Sequence, residues 1–511
     1  MSSTGVASPA LRALIDRFGD RVSTRLPERT AYAHDLWPRS LISAPDVRPD
    51  AIVWPTSTEE VVAIINIARA HQVPIVPFGA GSGVCGAAQA IAGGWVVDLK
   101  RMNRVLAVDP EAGTMTAQAG ILGELLEREL AQNGVTLGHF PSSIMCSTFG
   151  GWLATRSSGQ LSTKYGKIED MVQAMTFVDG RGETHELDAS DSPNLLPLLI
   201  GSEGTLGIIT QARCTVRAKP EVQLYRGWTF PRVAAGCEAI RRLLQRGLRP
   251  AAVRLYDELD SFLHRRKDAK GSSQPSALER MVSLLSVDGT HAASEGRRFL
   301  LGLALSKSQL LNQLGPRLLG RIEPCLLIVG FEGEATLTKA EAEVAAEELT
   351  RAGGKDLGEE PGLDWLAHRY DVSFRMSKVF EAGAFVDTME IATTWEKLLP
   401  LYHAVREAIA PHAFVMAHFS HAYEDGCSIY FTFVGRGDTE EAALTRYDQI
   451  WSAGLGAVIA VGGTISHHHG IGRSKASFLP AELGPGAMRL SRALKRTLDP
   501  NRIMNPGNLG S

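Results

Sequence analysis

The chain has 511 residues, a formal net charge of −3 and 44% hydrophobic residues, which is typical of a globular protein of about two to four domains. The charge balance argues against a nucleic-acid partner, and no apolar run reaches the ~18–20 residues needed to cross a bilayer. The charged N-terminal stretch MSSTGVASPALRALIDRFG and six scattered cysteines lead us to expect a reduced, cytoplasmic protein without a secretion signal.

The first 80 residues predict a helix and then two strands with a helix between them. The first helix begins at Pro9, after the capping residue Ser8. Its apolar residues recur at helical spacing: Leu11, Leu14, Ile15 and Phe18. Ala51–Trp54 and Val73–Val76 are the predicted strands. Ser57 and Glu60 predict a capping box for the helix between them.

A glycine-rich loop, PFGAGSGVCG, follows the second strand at Pro77–Gly86. It satisfies the G-x-G-x-x-G pattern of dinucleotide-binding folds, with Asp98 at a suitable distance. That fold needs a crossover helix after the third glycine, and the next predicted strand, Trp95–Leu99, leaves too little chain for one. We therefore reject a Rossmann domain. The loop either holds a pyrophosphate through its backbone N–H groups or only reverses the chain.

The next region predicts more strands around a single helix. Residues 104–120 form a predicted pair of strands with turn residues Asp109 and Gly113, and Leu122–Asn133 is a predicted helix. Met171–Val178 and Ile208–Ala218 predict further strands of the same domain. The turn GSEGTLGII at Gly201–Ile209 leads into the last of them.

The segment Pro141–Gly166, PSSIMCSTFGGWLATRSSGQLSTKYG, combines small polar residues with Trp152, which we expect to be buried. Small residues let a backbone approach a ligand closely and present N–H groups to it. Arg156 has no acidic partner close in sequence, which favours a ligand role over a structural ion pair. The alternative is a long surface loop rich in serine and glycine.

Residues 220–450 predict an α+β layer with an antiparallel sheet. Cys325–Gly333 and Cys427–Gly435 are strands, each followed by a helix, to about Arg351 and about Trp451 respectively. The polar stretch His264–Ser276 predicts a mobile loop, whose cations either contact a phospholipid surface or are simply solvated.

Three polar features in this second half attract attention. Tyr430 alternates with Ile429 and Phe431, which places it on the polar face of a strand, and Arg254 alternates similarly with its neighbours. The run SHHHGIG contains His467, His468 and His469. We favour an active-site role for the run over the alternative that the histidines are exposed and have no function. A metal site is disfavoured, because adjacent side chains in an extended segment point to opposite faces.

These stretches resemble the flavoprotein superfamily with the vanillyl-alcohol-oxidase or PCMH-type FAD domain. PFGAGSG, GSEGTLGII and LDPNRIMNPGN are common to many FAD-linked oxidases. STFGGWLATRSSG, SHAYEDGCSIYFTF and SHHHGIG are similar, more specifically, to the alkyldihydroxyacetonephosphate synthase family. The resemblance implies an α+β protein with a two-part PCMH-type FAD-binding domain and an α+β cap domain, whose antiparallel sheet is flanked by helices. The implied parts are an N-terminal helical segment (1–45), the FAD-binding domain (46–220), the substrate-binding cap (221–455) and a C-terminal segment returning to the flavin (456–511).

The resemblance also implies non-covalent FAD and assigns roles to particular residues. Catalytic roles fall on Tyr430, Arg254 and the three histidines, and the substrate phosphate would bind Arg375. The implied cofactor contacts are Pro77, Phe78, Gly79, Ala80, Gly81, Ser82, Gly83, Ser142, Ser143, Ile144, Met145, Cys146, Ser147, Thr148, Thr155, Arg156, Ser157, Ser158, Glu203, Gly204, Thr205, Leu206, Gly207, Ile208 and Ile209. No metal is implied.

In the family, the acyl group of acyl-dihydroxyacetonephosphate is exchanged for a fatty alcohol, with flavin N5 acting as a covalent trap and no net redox change. A phenol such as Tyr430 suits acid–base work if nearby cations lower its pKa. Imidazoles suit proton transfer near neutral pH, and the planar arginine fork suits a phosphate. We expect the partners to be a lipid phosphate and a long-chain alcohol, and a homodimer and peripheral membrane contact stay open.

Two alternatives remain at this point. The first is an FAD-dependent 2-hydroxyacid dehydrogenase or oxidase of the D-lactate or glycolate type. Members of that group have a sequence like HAGDGNLH where this chain has HAYEDGCSIY, and one like SGEHGIG where it has SHHHGIG. His468 therefore stands where that group has an acidic residue, which argues against hydroxyacid oxidation. A non-catalytic flavin-binding scaffold is the other alternative. The chain ends in LGS, so we expect no peroxisomal signal.

Overall fold

The computed structural model describes residues 8–265, 312, 324–371, 379–380 and 384–510. In this part of the chain the helices are α1 (Pro9–Phe18), α2 (Leu26–Ala31), α3 (Pro38–Ile42), α4 (Thr58–Ala70), α5 (Gly123–Gln132), α6 (Phe149–Thr155), α7 (Ser162–Tyr165), α8 (Ile168–Met171), α9 (Leu196–Leu199), α10 (Val233–Gln245), α11 (Glu258–Arg265), α12 (Ala335–Arg351), α13 (Glu360–His368), α14 (Trp395–Ile409), α15 (Glu440–Val461) and α16 (Leu479–Leu498).

The strands in the same residues are β1 (Val22–Ser23), β2 (Ala51–Val53), β3 (Ile75–Phe78), β4 (Trp95–Asp98), β5 (Val105–Asp109), β6 (Thr114–Gln118), β7 (Val135–Thr136), β8 (Val172–Asp179), β9 (Thr184–Asp188), β10 (Gly207–Thr215), β11 (Arg217–Ala218), β12 (Val222–Phe230), β13 (Ala252–Tyr256), β14 (Cys325–Gly333), β15 (Lys355–Gly358), β16 (Phe385–Thr394), β17 (Phe414–Ala422) and β18 (Gly426–Gly435). The predicted loop from His264 to Ser276 lies outside the described residues from residue 266 onward.

The chain divides into two compact units. The first contains residues 1–159, 166–219 and 468–511, and the second contains residues 160–165 and 220–467. The boundary therefore falls inside the histidine run, between His467 and His468.

The first unit has two main sheets. In one, the strand order is β1-β2-β4-β3, and the neighbours β2, β4 and β3 run parallel. The chain between β3 and β4, residues 79–94, forms no helix, which confirms the rejection of a Rossmann domain. The other sheet, β5-β6-β10-β8-β9, is antiparallel and includes the predicted strand pair. The C-terminal segment adds to β3 through hydrogen bonds from Ile75 N to Ile503 O and from Asn505 N to Ile75 O, both 2.7 Å.

The second unit has a seven-stranded antiparallel sheet, β15-β12-β14-β13-β17-β18-β16, with helices packed on it. One face is apolar: the alternating residues Ile429, Phe431 and Phe433 of β18 are fully buried. Tyr402 of α14 stacks on Phe431, and Tyr447 of α15 packs beside Phe433. The alternation thus confirms the predicted polarity of the strand and leaves the opposite face for polar side chains.

Helix α1 forms where predicted, and Ser8 Oγ accepts a hydrogen bond from Leu11 N at 3.2 Å. Its buried face is narrower than predicted, because Ile15 remains 39% exposed while Leu14 and Phe18 are buried. Only half of the predicted capping box forms at α4. Ser57 Oγ accepts from Glu60 N, but the Glu60 carboxylate binds Thr56 N and Arg21 instead of Ser57 N.

Two predicted boundaries were wrong for identifiable reasons. Strand β3 begins two residues later than predicted, because Val73 N donates to Ala68 O and closes α4 first. Helix α15 continues to Val461, well past the predicted end near Trp451. Gly454 lies within it because a Cβ there would come within 2.6 Å of Met389 Cε, so this glycine allows close packing and does not stop the helix. Gly462, at φ +80°, ends it.

Candidate active site

In the first unit, the predicted cofactor segments pack on one another through their glycines. A Cβ on Gly79 would lie 2.2 Å from Thr148 Oγ1, and a Cβ on Gly204 would lie 2.8 Å from Pro77 Cγ. Gly204 also has φ +73°, which favours glycine for a second reason. Three segments that are far apart in sequence thus meet at backbone distance, as a close-fitting ligand cradle requires.

The loop after β3 offers free hydrogen-bond donors. Within the described residues, the backbone N–H groups of Ala80, Ser82 and Val84 have no hydrogen-bond partner in the chain. Unpaired backbone N–H groups in a glycine-rich turn are a donor set that a pyrophosphate can bind. The residues present therefore fit the pyrophosphate of a dinucleotide such as FAD.

Some of the cofactor contacts predicted in Ser142–Thr148 form hydrogen bonds within the protein, and others are exposed. Ser147 Oγ accepts from Trp152 Nε1 at 2.7 Å, and Thr148 Oγ1 caps α6 by accepting from Gly151 N. Met145 is 44% exposed, and Cys146 is partly exposed, although burial raises the pKa of its thiol. Trp152 is buried as predicted. Part of this stretch therefore supports α6, and part is open to a ligand.

Arg156 has partners that the local sequence did not indicate. It ends α6 at φ 54°, its Nη2 donates to Pro197 O at 2.5 Å, and its Nη1 lies 3.8 Å from a carboxylate oxygen of Glu169. Arg156 indeed has no acidic residue close in sequence, but the inference against a structural ion pair was wrong, because Glu169, 13 positions away, folds back to it.

His139, which the sequence analysis missed, lies beside predicted cofactor contacts. Its ring is fully buried against Trp152, and Nε2 lies 3.2 Å from Ser157 Oγ. Burial, and then the charge of His468, lower the pKa of His139 to about 3. His139 is therefore a neutral imidazole at physiological pH.

Glu203 holds the segment that follows the histidine run. Its carboxylate accepts from Ile471 N at 2.6 Å, Gly472 N at 2.9 Å and Asn508 Nδ2 at 3.0 Å, and burial raises its pKa. A Cβ on Gly470 would lie 2.7 Å from Glu203 Oε1. The backbone after His469 is therefore fixed against the turn Gly201–Ile209, and the rings of His468 and His469 pack edge to face at 4.6 Å.

In the second unit, four polar side chains form a row across the sheet. Tyr256 on β13 is opposite His418 on β17, His418 is opposite Tyr430 on β18, and Tyr430 is opposite Glu390 on β16. Directly opposed residues share a face of the sheet. The rings of His418 and Tyr430 stack at 4.9 Å with an angle of 12° between them.

Arg254 lies beside this row as an unneutralised cation. Its Nη2 donates to His418 Nε2 at 2.7 Å, and His418 Nδ1 lies 3.3 Å from Asp260 Oδ2. Within the described residues Arg254 forms no ion pair with a carboxylate, and its Nε is buried without a hydrogen-bond partner. A partly buried guanidinium with donors to spare is suited to binding an anion.

The environment of Tyr430 favours a protonated phenol. Burial raises its pKa, Glu390 raises it further, and Arg254 and a hydrogen bond to Thr388 lower it by less. We had expected nearby cations to lower the pKa of Tyr430. That expectation was wrong, because the desolvation of the buried phenol outweighs the effect of Arg254. At neutral pH Tyr430 is a hydrogen-bond and proton donor.

His467 is held by a fully buried carboxylate. Both oxygens of Glu390 accept from His467 N, at 3.1 and 3.0 Å, and Oε1 lies 3.5 Å from His467 Nδ1. The His467 ring packs 5.5 Å from His421 and from Tyr423. Ser162 joins these two, since its Oγ lies 2.8 Å from His421 Nδ1 and accepts from Tyr423 OH.

The structure thus brings together Tyr430, Arg254 and His467 in the second unit, and it places His468 and His469 beside the cofactor segments of the first. Arg375 lies outside the described residues. Sequence reasoning missed His418, Asp260 and Glu390. The signal for Glu390 was available: it is a carboxylate between the apolar residues Met389 and Ile391 of the strand FVDTMEIATT. Among the helices described, none combines the length and apolar composition of a bilayer span.

Comparison with known proteins gives two family matches. Residues 49–188 match the FAD binding domain model, and residues 219–509 match the model for FAD linked oxidases, C-terminal domain. The chain is 30% identical to the alkyldihydroxyacetonephosphate synthase of Trypanosoma brucei brucei, over 93% of this chain and 75% of that protein. It is 28% identical to the D-lactate dehydrogenase of Anaerostipes hadrus, over 90% of each chain. A solved alkyldihydroxyacetonephosphate synthase superposes with a TM-score of 0.77 at 28% identity, covering 99% of this chain and 87% of that one.

Proposed function

The chain belongs to the alkyldihydroxyacetonephosphate synthase family of FAD-linked oxidases, and from this premise we propose that it exchanges the acyl group of an acyl-dihydroxyacetonephosphate for a fatty alcohol. In this reaction the ester bond between CH2 and oxygen breaks, and an ether bond forms from the same carbon to the alcohol oxygen. The alcohol proton leaves with the fatty acid, so the reaction has no net oxidation.

FAD is the cofactor of this family, and it would be held by the small-residue segments of the first unit, with unpaired N–H groups of Ala80, Ser82 and Val84 available to the pyrophosphate. Bound FAD supplies an electrophilic ring system that can accept an electron pair and return it. All the proton transfers fall to side chains of this chain.

The observation that carries the proposal is Arg254, whose cation lacks a carboxylate partner in the described residues and lies beside Tyr430. We propose that Arg254 binds the negative charge of the substrate. This charge is either on the phosphate or on the ketone oxygen as the neighbouring carbon loses a proton.

Tyr430 and His467 divide the acid–base work in this proposal. Because the pKa of Tyr430 is raised, its phenol donates, and we assign to it protonation of the departing carboxylate, after which the phenolate takes the proton of the incoming alcohol. His467 is the base that takes the proton from the carbon next to the ketone and returns it once the ether bond has formed, and the Glu390 carboxylate stabilises the imidazolium in between. Arg375 remains a candidate for a second phosphate contact.

The experiment is product analysis with purified FAD-loaded protein. Incubation with acyl-dihydroxyacetonephosphate and hexadecanol should give the ether and free fatty acid in equal amounts, measured by mass spectrometry. A parallel incubation with D-lactate and an electron-accepting dye tests the oxidoreductase alternative. The 28% identity to a D-lactate dehydrogenase is the reason for including it. Dye reduction by the hydroxyacid without ether formation would overturn the proposal.

A further inference from the structure

The carbonyl groups of the glycine-rich loop after β3 accept hydrogen bonds from residues outside the loop. Lys100 Nζ donates to Gly79 O at 2.8 Å. The backbone N–H of Leu36 donates to two carbonyls, Gly81 O at 3.1 Å and Gly83 O at 3.0 Å. Every second carbonyl of the loop is thus bound by a donor from outside it.

These contacts decide where the loop presents its own donors. In a planar trans peptide the C=O of one residue and the N–H of the next point in opposite directions. With the carbonyls of Gly79, Gly81 and Gly83 bound from behind, the following N–H groups point away from Lys100 and Leu36. These N–H groups belong to Ala80, Ser82 and Val84, and none of the three has a partner in the described chain.

Lys100 is itself fixed in position. Its Nζ lies 2.7 Å from Oδ2 of Asp98, a fully buried carboxylate that also accepts from Tyr32 OH at 2.5 Å and Trp54 Nε1 at 2.9 Å. The ammonium group lies 5.4 Å from the centre of the Tyr32 ring and 5.1 Å from that of Phe78. A cation held by a carboxylate and two aromatic rings keeps one orientation.

The Leu36 backbone is fixed as well. Its neighbour Asp35 is 1% exposed, and the Asp35 carboxylate accepts from Trp37 N at 3.2 Å, Gln89 Nε2 at 3.2 Å and Ala88 N at 3.4 Å. The Trp37 ring covers Gly86, where a Cβ would come within 2.5 Å of it. The Leu36 side chain, by contrast, is 47% exposed, so the backbone of this residue carries the contact.

We propose that residues 35–37 and Lys100 form a brace for the cofactor loop, and that tight FAD binding requires it. The brace orients the N–H groups before the pyrophosphate arrives, so their alignment costs little on binding. Residues 35–37 lie outside residues 49–188, the part of the chain that matches the FAD-binding domain model. FAD binding in this chain therefore depends on a segment upstream of that domain.

A pair of substitutions at Leu36 tests the brace. Leu36→Pro removes the N–H that binds both carbonyls, and Leu36→Ala keeps it while shortening an exposed side chain. We expect Leu36→Pro to weaken FAD binding by about tenfold or more and Leu36→Ala by less than about twofold. The measurement is titration of the apoprotein with FAD, followed by quenching of flavin fluorescence.

Lys100→Met provides a second, independent variant, with Arg69→Met as a control that removes one exposed charge at the end of α4. We expect Lys100→Met to weaken FAD binding by about tenfold and Arg69→Met to leave it unchanged. Circular dichroism of each apoprotein shows whether it is folded. If Leu36→Pro fails to fold, Lys100→Met decides.

A folded Leu36→Pro or Lys100→Met protein with wild-type FAD affinity would overturn the proposal. So would equal losses in the two control variants, since those would reflect general destabilisation. None of these readouts uses catalytic activity, so the result is independent of the reaction proposed above.

Discussion

Replacing Glu203 by Gln removes a buried carboxylate that holds the backbone beside the histidine run. The carboxylate accepts three hydrogen bonds, from Ile471 N, Gly472 N and Asn508 Nδ2, at 2.6, 2.9 and 3.0 Å. A glutamine amide has one accepting oxygen, and its NH2 group would face donors. At least one buried donor therefore loses its partner.

The size of the effect follows from two opposed contributions. An unpaired buried donor costs about 1–3 kcal/mol, and hydrogen bonds to a charged group are worth about 1.5–3 kcal/mol each. Against this, burial raises the pKa of Glu203, so the ionised carboxylate is itself unfavourable there, and the neutral amide recovers part of the loss. We expect the free energy of unfolding to fall by about 2 kcal/mol at neutral pH.

Urea unfolding of the FAD-loaded protein, followed by tryptophan fluorescence, measures this change. Glu343→Gln, at an exposed position of α12, is the matched control and should change stability by less than about 0.5 kcal/mol. FAD affinity is measured on the same samples. Unchanged stability combined with a large loss of FAD affinity would refute the reasoning and return Glu203 to the direct cofactor contact that the sequence suggested.

Three further substitutions test the second unit. Tyr430→Phe should lower kcat by about 10²–10⁴-fold without changing FAD affinity, and because the pKa of Tyr430 is raised, the wild-type kcat should show no loss from this group below about pH 10. Arg254→Met should raise KM for the phosphate-bearing substrate by about tenfold or more, whereas Arg226→Met, which breaks surface ion pairs with Asp356 and Glu359, should leave KM unchanged. Glu390→Gln should lower kcat by at least about tenfold with little change in KM, and an unaltered kcat would remove His467 from its assigned role.

The sequence was most informative where local rules and tertiary packing agree. The strand Cys325–Gly333 was predicted at its observed bounds, because a continuous apolar run flanked by turn residues suits a strand buried on both faces. The rejection of a Rossmann domain needed only the count of residues between Gly86 and Trp95. The polar face of β18 followed from alternation alone.

The missed features depend on contacts between residues far apart in the sequence. The Arg156–Glu169 pair, the Glu203 carboxylate under Ile471 and Gly472, and the Leu36 donor to Gly81 and Gly83 arise only once distant segments meet. The raised pKa of Tyr430 depends on how completely the folded sheet desolvates its hydroxyl, which composition does not encode. Likewise, helix α15 continues past its predicted end near Trp451, and Gly454 within it leaves room for the facing Met389 side chain.

The claim that the reaction is an exchange without net oxidation is tested most directly by anaerobic turnover. FAD-loaded protein is mixed with acyl-dihydroxyacetonephosphate and hexadecanol in the absence of oxygen and of any electron acceptor, and ether is counted per flavin while the flavin spectrum is recorded. The account predicts that ether accumulates to many molecules per flavin and that the flavin remains oxidised between turnovers. Ether formation that stops after one molecule per flavin, with the flavin left reduced, would contradict it.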